Sequence, residues 1–218
     1  VIPTRALKNI PGVRAFYRSR YAAPVHAFFL DRINRYRYGP SAPRFAERLW
    51  IDPSTVKKFT ARGTIWQSGR VCDDWIEDEA LPLDQDPVLR IAIARWCEGL
   101  PWEKTGEFEL LERAIARFGH HDGTRTRADI RRRCANLDRI FETVERERRI
   151  RPQGEVDPKA FRELGGIGMH IGPNGIPLRG INGRHRFAMA VILGISPIPV
   201  RIGMVHRTAI EHLDRMRN

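Results

Sequence analysis

The strongest constraint on how this chain folds lies between residues 178 and 202. Leu178-Arg179-Gly180 runs through Asn182-Gly183 into Arg184-His185-Arg186, and an apolar stretch follows to Leu193-Gly194 and Ile198-Pro199-Val200-Arg201-Ile202. Two short β-favouring runs flank a glycine turn and a helix closed by Gly194, so the segment reads as strand, turn, helix, strand. A helix start carries unpaired backbone N–H groups and a partial positive charge. With Gly183, Arg184, His185 and Arg186 at that start, the turn is expected to form an anion pocket whose occupant is a phosphate. An ordinary strand–helix joint with surface arginines is the alternative.

The tetrapeptide Gly183-Arg184-His185-Arg186, the small-residue helix after it, Leu193-Gly194 and Ile198-Pro199-Val200 resemble the Gly-x-His-Arg signature of the ParB/sulfiredoxin superfamily. The resemblance covers residues 167–202, about a sixth of the chain. It implies a nucleotide pocket in which Asn182, Gly183, Arg184, His185 and Arg186 bind, with His185 and Arg186 on the β- and γ-phosphates as the catalytic pair. It also implies ATP or another NTP with Mg²⁺ as the ligand. Sulfiredoxins carry a reactive cysteine inside the motif, where this chain has Arg184, so sulfinic-acid repair is not expected. Partition proteins add a helix-turn-helix reader, whereas the 32 residues after Arg186 leave room for one strand and one helix.

The remaining sequence suggests an α+β fold: a small mixed sheet of ParB/sulfiredoxin type, a helical insertion at about 82–149 and a basic N-terminal extension over 1–45. The domain proper would be 46–218. Arg48 to Asp52 reads as a first strand, with residues 64–67 and 70–72 as further pieces. Asp86 and Pro87 open a helix, a second runs over 107–118 to Gly119, and Thr126 with Asp129 caps a third whose stripe is Ile130, Cys134, Leu137, Phe141 and Val144. Arg131, Arg132 and Arg133 fall on its flanking or outer positions. Asn174-Gly175 between short apolar runs predicts a hairpin, His170 within it reads as structural, and residues 208–217 form a final helix. The motif helix is expected to bury Phe187 and Val191, with Ala188 and Ala190 allowing close packing.

Charge is unevenly spread. The net formal charge is +12 over 218 residues, yet residues 71–115 carry 12 Asp and Glu against 4 Lys and Arg, while residues 1–70 carry 14 basic against 3 acidic. Such a field favours polyanions, either nucleic acid, anionic lipid or phosphorylated substrates, although arginine-rich composition alone produces the same excess. Ala23 to Tyr36 is expected to be an amphipathic helix with His26, Phe29, Leu30 and Ile33 on one face. It would pack on its own domain, lie on a membrane surface or track a nucleic-acid strand. No apolar run reaches the ~18 residues of a membrane span. Three cysteines without close pairing fit neither a disulfide framework nor a zinc site, and a reducing cytoplasm is the simplest setting, with a peripheral membrane location the variant.

Two further clusters invite chemistry. The acidic run of residues 73–79 would hold Mg²⁺ or supply a general base, or else be a solvated loop. His120-His121-Asp122-Gly123-Thr124-Arg125 suggests a metal site only if a distant ligand joins it; a contribution to the phosphate pocket, or a plain loop, accounts for it better. Together these readings give an NTP-dependent phosphotransferase acting on a small hydroxylated substrate, or an NTP hydrolase. The alternative is a ParB-like nucleic-acid-binding protein or nuclease that uses its basic surface.

Overall fold

The asparagine–glycine turn and the motif helix organise the centre of the molecule. The computed structural model describes residues 21–74 and 80–217. Asn174 and Gly175 both adopt positive φ, 57° and 80°, which turns β5 (Ile167–Ile171) back onto β6 (Pro177–Arg179) in antiparallel register, with His170 opposite Leu178. The motif helix α6 (Arg184–Leu193) follows, and Gly194 closes it in the left-handed conformation before β7 (Ile198–His206).

β7 runs parallel to β5 and supports two edge strands. Its first half pairs antiparallel with β1 (Arg48–Ile51), and its end pairs parallel with β3 (Val71–Cys72). On the far side β6 meets β2 (Lys58–Phe59), which pairs with β4 (Leu81–Pro82). The result is a seven-stranded open mixed sheet, β1-β7-β5-β6-β2-β4 with β3 on β7. β5 is buried throughout, and β7 is buried except at His206, so both faces of the central strands are covered. Residues 64–67, expected as a strand piece, instead form a 3₁₀ turn over Ile65–Gln67. There a Thr64–Gln67 capping box competes successfully with extension.

Among the described residues there are seven α-helices. Asp86 caps α2 (Pro87–Trp96), α3 (Glu107–Phe118) ends at left-handed Gly119, and Thr126 and Asp129 form the capping box of α4 (Arg127–Glu147). Ile130, Cys134, Leu137 and Val144 are buried in one continuous core with Phe108, Phe187, Met169 and Val200, so the helical insertion and the sheet share a core. Replacing Phe108 or Phe187 by alanine there would cost about 3–5 kcal/mol. α2 lies close on α6 because Ala188 meets Leu89 and Ala92. Val191 is 37% exposed, contrary to the expected burial, since α6 turns only its Phe187–Ala190 side inward. A short helix α5 (Gln153–Val156) follows α4, and the C-terminus is a 3₁₀ turn over Arg207–His212 leading into α7 (Leu213–Arg217).

The N-terminal helix α1 (Ala22–Tyr38) packs with a different face from the one its hydrophobicity suggests. Ala23 and Ala27 lie against Phe45 and Ala46, and Asn34 Nδ2 donates to the Pro43 and Gly69 carbonyls at 2.7 and 2.8 Å. Small residues let the helix approach closely, and this rotation leaves Phe29 60% and Ile33 48% exposed. The boundary expected at residue 45 thus falls inside a packed contact.

Candidate functional site

Gly183 is the residue on which the turn depends. Its φ of 68° is left-handed, and a Cβ there would sit 2.7 Å from Ile167 Cα, so the turn lies directly on β5. The loop is tied down from below. The Asn182 carbonyl accepts from Gly168 N–H at 3.0 Å, and Asn182 Oδ1 accepts from Arg201 Nη2 at 3.0 Å. The first backbone bond of α6 is Phe187 N–H to the Gly183 carbonyl. The N–H groups of Arg184, His185 and Arg186 are therefore left without partners among the described residues, and no acidic side chain occupies the first turn.

These groups border a cavity of about 330 Å³, within the range of small-ligand sites. Asn182, Gly183, Arg184, His185 and Arg186 all line it, and the opposite wall comes from the insertion: Arg133, Leu137 and Ile140 of α4, with His121 and Asp122 from the loop before it. A larger recess of about 780 Å³ lies beside Asp52, Leu83 and the far end of α6. Its described walls hold one cation, Lys57, against Asp52 and Asp84.

The five motif residues reach one cavity but their side chains do different things. Arg184 forms no hydrogen bond or salt bridge with another described residue, so its guanidinium is available to a ligand. His185 is nearly buried, with Nε2 3.4 Å from Glu107 Oε1. Arg186, expected on a phosphate, turns its guanidinium away: Nη2 donates to the Gly165 carbonyl at 2.6 Å and Nη1 to Gln153 Oε1 at 3.3 Å. Burial lowers its pKa despite the nearby Glu163 carboxylate. Asn182 spends its side-chain oxygen on Arg201, which leaves it shaping the turn.

Glu107, from the first turn of α3, is the residue the sequence did not reveal. Its carboxylate is fully buried and neither oxygen has a hydrogen-bond partner by distance and angle. Burial pushes its pKa up, but His185 and then Arg133 and Arg184 pull harder, and the net direction is down. An ionised carboxylate is thus held behind the histidine ring. Arg133, expected on a flanking or outer position, flanks the buried stripe and reaches inward, with Nε 3.8 Å from Glu107 and Nη2 3.5 Å from Asp122.

Below the turn, two more arginines are buried. Arg179 pairs with Asp86 at 2.5 Å and donates to the Gly180 carbonyl at 2.7 Å, while burial brings its pKa down to about 10. Arg201 has no carboxylate partner among the described residues, and burial likewise lowers it to about 10. Both remain cationic at neutral pH and add to the positive potential beneath the loop.

Among the described residues no group of three or more His, Cys, Asp or Glu side chains could hold a metal. Among the described residues Asp122 is the single carboxylate in the cavity wall, more than half exposed, so a Mg²⁺ there would rely on phosphate oxygens for most of its ligands. His121 contributes to the wall beside it. Asp73 lies 3.8 Å from Arg207, and residues 75–79 of the acidic run lie outside the described residues. Cys72, Cys97 and Cys134 are free thiols, and burial pushes Cys134 up to about 12. No helix among the described residues is long and apolar enough to cross a membrane. Comparison with protein-family models, with curated proteins and with solved structures finds no match to this chain.

Proposed function

We propose that this chain is a nucleotide-binding protein of the ParB/sulfiredoxin type that transfers or hydrolyses the terminal phosphoryl group of an NTP. The observation that carries this reading is the convergence on one cavity of three α6 amides and the Arg184 guanidinium, all without hydrogen-bond partners among the described residues, and a carboxylate-backed His185. The amides and the guanidinium bind phosphate oxygens, and Arg133 meets them from the opposite wall. Mg²⁺, when bound with the nucleotide, neutralises charge on the phosphates.

We assign Nε2–H, 3.4 Å from Glu107 Oε1, to that carboxylate in the ligand-bound site, which makes Nδ1 the base toward the cavity that His185 lines. Nδ1 takes the proton of a hydroxyl or water as its oxygen attacks the terminal phosphorus. The bond from phosphorus to the leaving nucleoside diphosphate oxygen breaks, and Glu107 stabilises the imidazolium that results. Arg184 and the amides carry the charge that accumulates on the leaving side. A small hydroxylated molecule is the acceptor in the transferase version, and water in the hydrolase version.

A calorimetry and thermal-shift panel with ATP, ADP, CTP and GTP, with and without Mg²⁺, tests the reading on wild type, Arg184→Ala and His185→Ala. Ligand at 100 times Kd should stabilise the fold by about 2.7 kcal/mol. Binding lost in Arg184→Ala, and turnover lost in His185→Ala, are the expected outcomes. Absence of nucleotide binding by the wild type rejects it.

A second reading, binding of a polyanion such as single-stranded nucleic acid or an anionic bilayer, is favoured by the outer face of α1. Phe28, Phe29 and Tyr36 are exposed there beside Arg32 and Arg35, and Arg32 stacks on Phe28 at 4.2 Å. Oligonucleotide affinity falling steeply with salt, or sedimentation with anionic vesicles, would support this, and both should weaken in Phe28→Ser/Phe29→Ser.

A further inference from the structure

α4 borders a second cavity beyond the phosphate pocket. It measures about 520 Å³ and lies between the C-terminal half of α4 and the chain from Arg149 to Gly165. Ile140 and Arg186 belong to the walls of both cavities, so the two are adjoining compartments of one trough. The chemistry changes along it. Arg133 and the α6 amides mark the first compartment, whereas Val144, Ile150 and Val156 form an aliphatic floor in the second.

We infer that this second compartment holds the nucleoside end of the ligand, so that a single nucleotide spans the trough with its phosphates at the start of α6. The inference rests on the proposed phosphate site and adds where the base and ribose go. Arg133 and Val144 are eleven residues apart on one helix, about 16 Å at 1.5 Å per residue, a length an extended nucleoside triphosphate covers.

Three observations favour an uncharged, flat group over more phosphate. The floor is aliphatic, and of the arginines in the walls Arg149, Arg151 and Arg186 are engaged by Glu155, Glu147 and the Gly165 carbonyl, which leaves Arg139 as the one without a partner among the described residues. Glu147 in the wall is already paired with Arg151 and so does not repel the ligand. Gln153 has its Oε1 taken by Arg186, which leaves its amide N–H groups to donate to a base or ribose oxygen. The Arg186 guanidinium, fixed on the Gly165 carbonyl, then forms part of the partition between compartments rather than a phosphate ligand.

The test compares ATP with inorganic tripolyphosphate by calorimetry on wild type, Val156→Ser, Val144→Ala/Val156→Ser and Arg184→Ala. Val156 is 57% exposed, so the single variant should fold even if the double does not. The inference expects ATP affinity to fall at least fivefold in the double variant and measurably in Val156→Ser, with tripolyphosphate unchanged within twofold. Wild-type binding of tripolyphosphate, lost in Arg184→Ala, together with unchanged ATP affinity in the Val156 variants would overturn the inference and leave the phosphate site standing. Equal losses of both ligands would overturn it as well. Failure of the wild type to bind either ligand would reject the phosphate site, and the nucleoside compartment with it.

Discussion

His185 Nε2 lies 3.4 Å from Oε1 of Glu107, a side chain with no exposed surface, so the histidine that opens α6 is backed by a carboxylate from a different helix. Two elements almost eighty residues apart in sequence are locked at the mouth of the phosphate turn. Arg133 completes the arrangement from α4 at 3.8 Å. The charge of Glu107 survives burial because the His185 ring, Arg133 and Arg184 surround it.

Glu107→Gln preserves shape and removes the charge. In this variant kcat for NTP turnover should fall by about 10²-fold or more while Kd for nucleotide changes little, since the phosphate donors are untouched. Glu107→Ala should additionally cost about 3 kcal/mol of stability, because it strands His185 and Arg133 without their anion. Parallel measurement of kcat, Kd and denaturation midpoint separates the effects. An unchanged kcat in Glu107→Gln would remove the histidine–carboxylate pair from the mechanism.

Arg184 and Arg186 are two residues apart and should behave in opposite ways. Arg184 forms no hydrogen bond or salt bridge with another described residue, and its attraction to Glu107 is opposed by its like charge on Arg179, so Arg184→Ala should change Tm little. Phosphate affinity should fall by about 1.5–3 kcal/mol, roughly 10- to 150-fold. Arg186→Ala removes the tie to Gly165 and Gln153 and should lower stability by about 2 kcal/mol, with a smaller direct effect on phosphate. Melting curves with and without tripolyphosphate report both quantities. A loss of binding in Arg186→Ala without a change in Tm would reverse the assignment.

Features written in local sequence were the ones that could be read. The turn at Asn174-Gly175, the Thr126–Asp129 capping box and the Gly183 and Gly194 helix ends each depend on a few neighbouring residues, and the structure has them where the sequence puts them. β2 and β4 are two residues each and exist because β6 offers an edge, a fact no local pattern records. Glu107 in a first helical turn looks like an exposed acid matching the helix dipole. Its burial follows from α3 packing on α4, which brings the carboxylate behind His185, a tertiary event. The direction of Arg186 was equally hidden, since both arginines of the motif carry the same local signal and only the Gly165 carbonyl tells them apart.

The insertion has its own polar centre at Asp138 of α4. Its carboxylate accepts from Arg95 Nη2 at 2.8 Å, Arg95 Nε at 3.1 Å, Trp96 Nε1 at 3.0 Å and Trp102 Nε1 at 2.9 Å. Burial works to raise its pKa, and these four donors reverse the direction. Asp138→Ala should therefore destabilise the fold by about 2–4 kcal/mol. Because Arg133 and Ile140 sit on the same helix, looser anchoring should also weaken nucleotide binding. Chemical denaturation measures the first effect and calorimetry the second. A loss under 1 kcal/mol would show that α2 and α4 are held by the Trp96–Phe141 stack instead.

His170 gives the fold a predictable response to acid. Its ring occupies a gap left by three glycines: a Cβ at Gly203 would stand 2.5 Å from Nδ1, one at Gly63 2.8 Å from Cε1 and one at Gly180 3.0 Å from Nε2. Nδ1 accepts from Met204 N–H at 2.9 Å, which places the proton of the neutral ring on Nε2. Burial, with Arg201 nearby, lowers the folded pKa from 6.5 to about 4 even though the Arg62 backbone opposes the shift. Between these values the unfolded chain binds more protons than the folded one, so this group's contribution falls as pH drops from about 6.5 towards 4. The full loss is about 3 kcal/mol. His170→Asn keeps an acceptor for Met204 and cannot titrate. It should be less stable than wild type at pH 7 yet lose less on acidification, so the two stability curves should converge between pH 6.5 and 4. Curves that stay parallel would mean that His170 is not the group that senses acid.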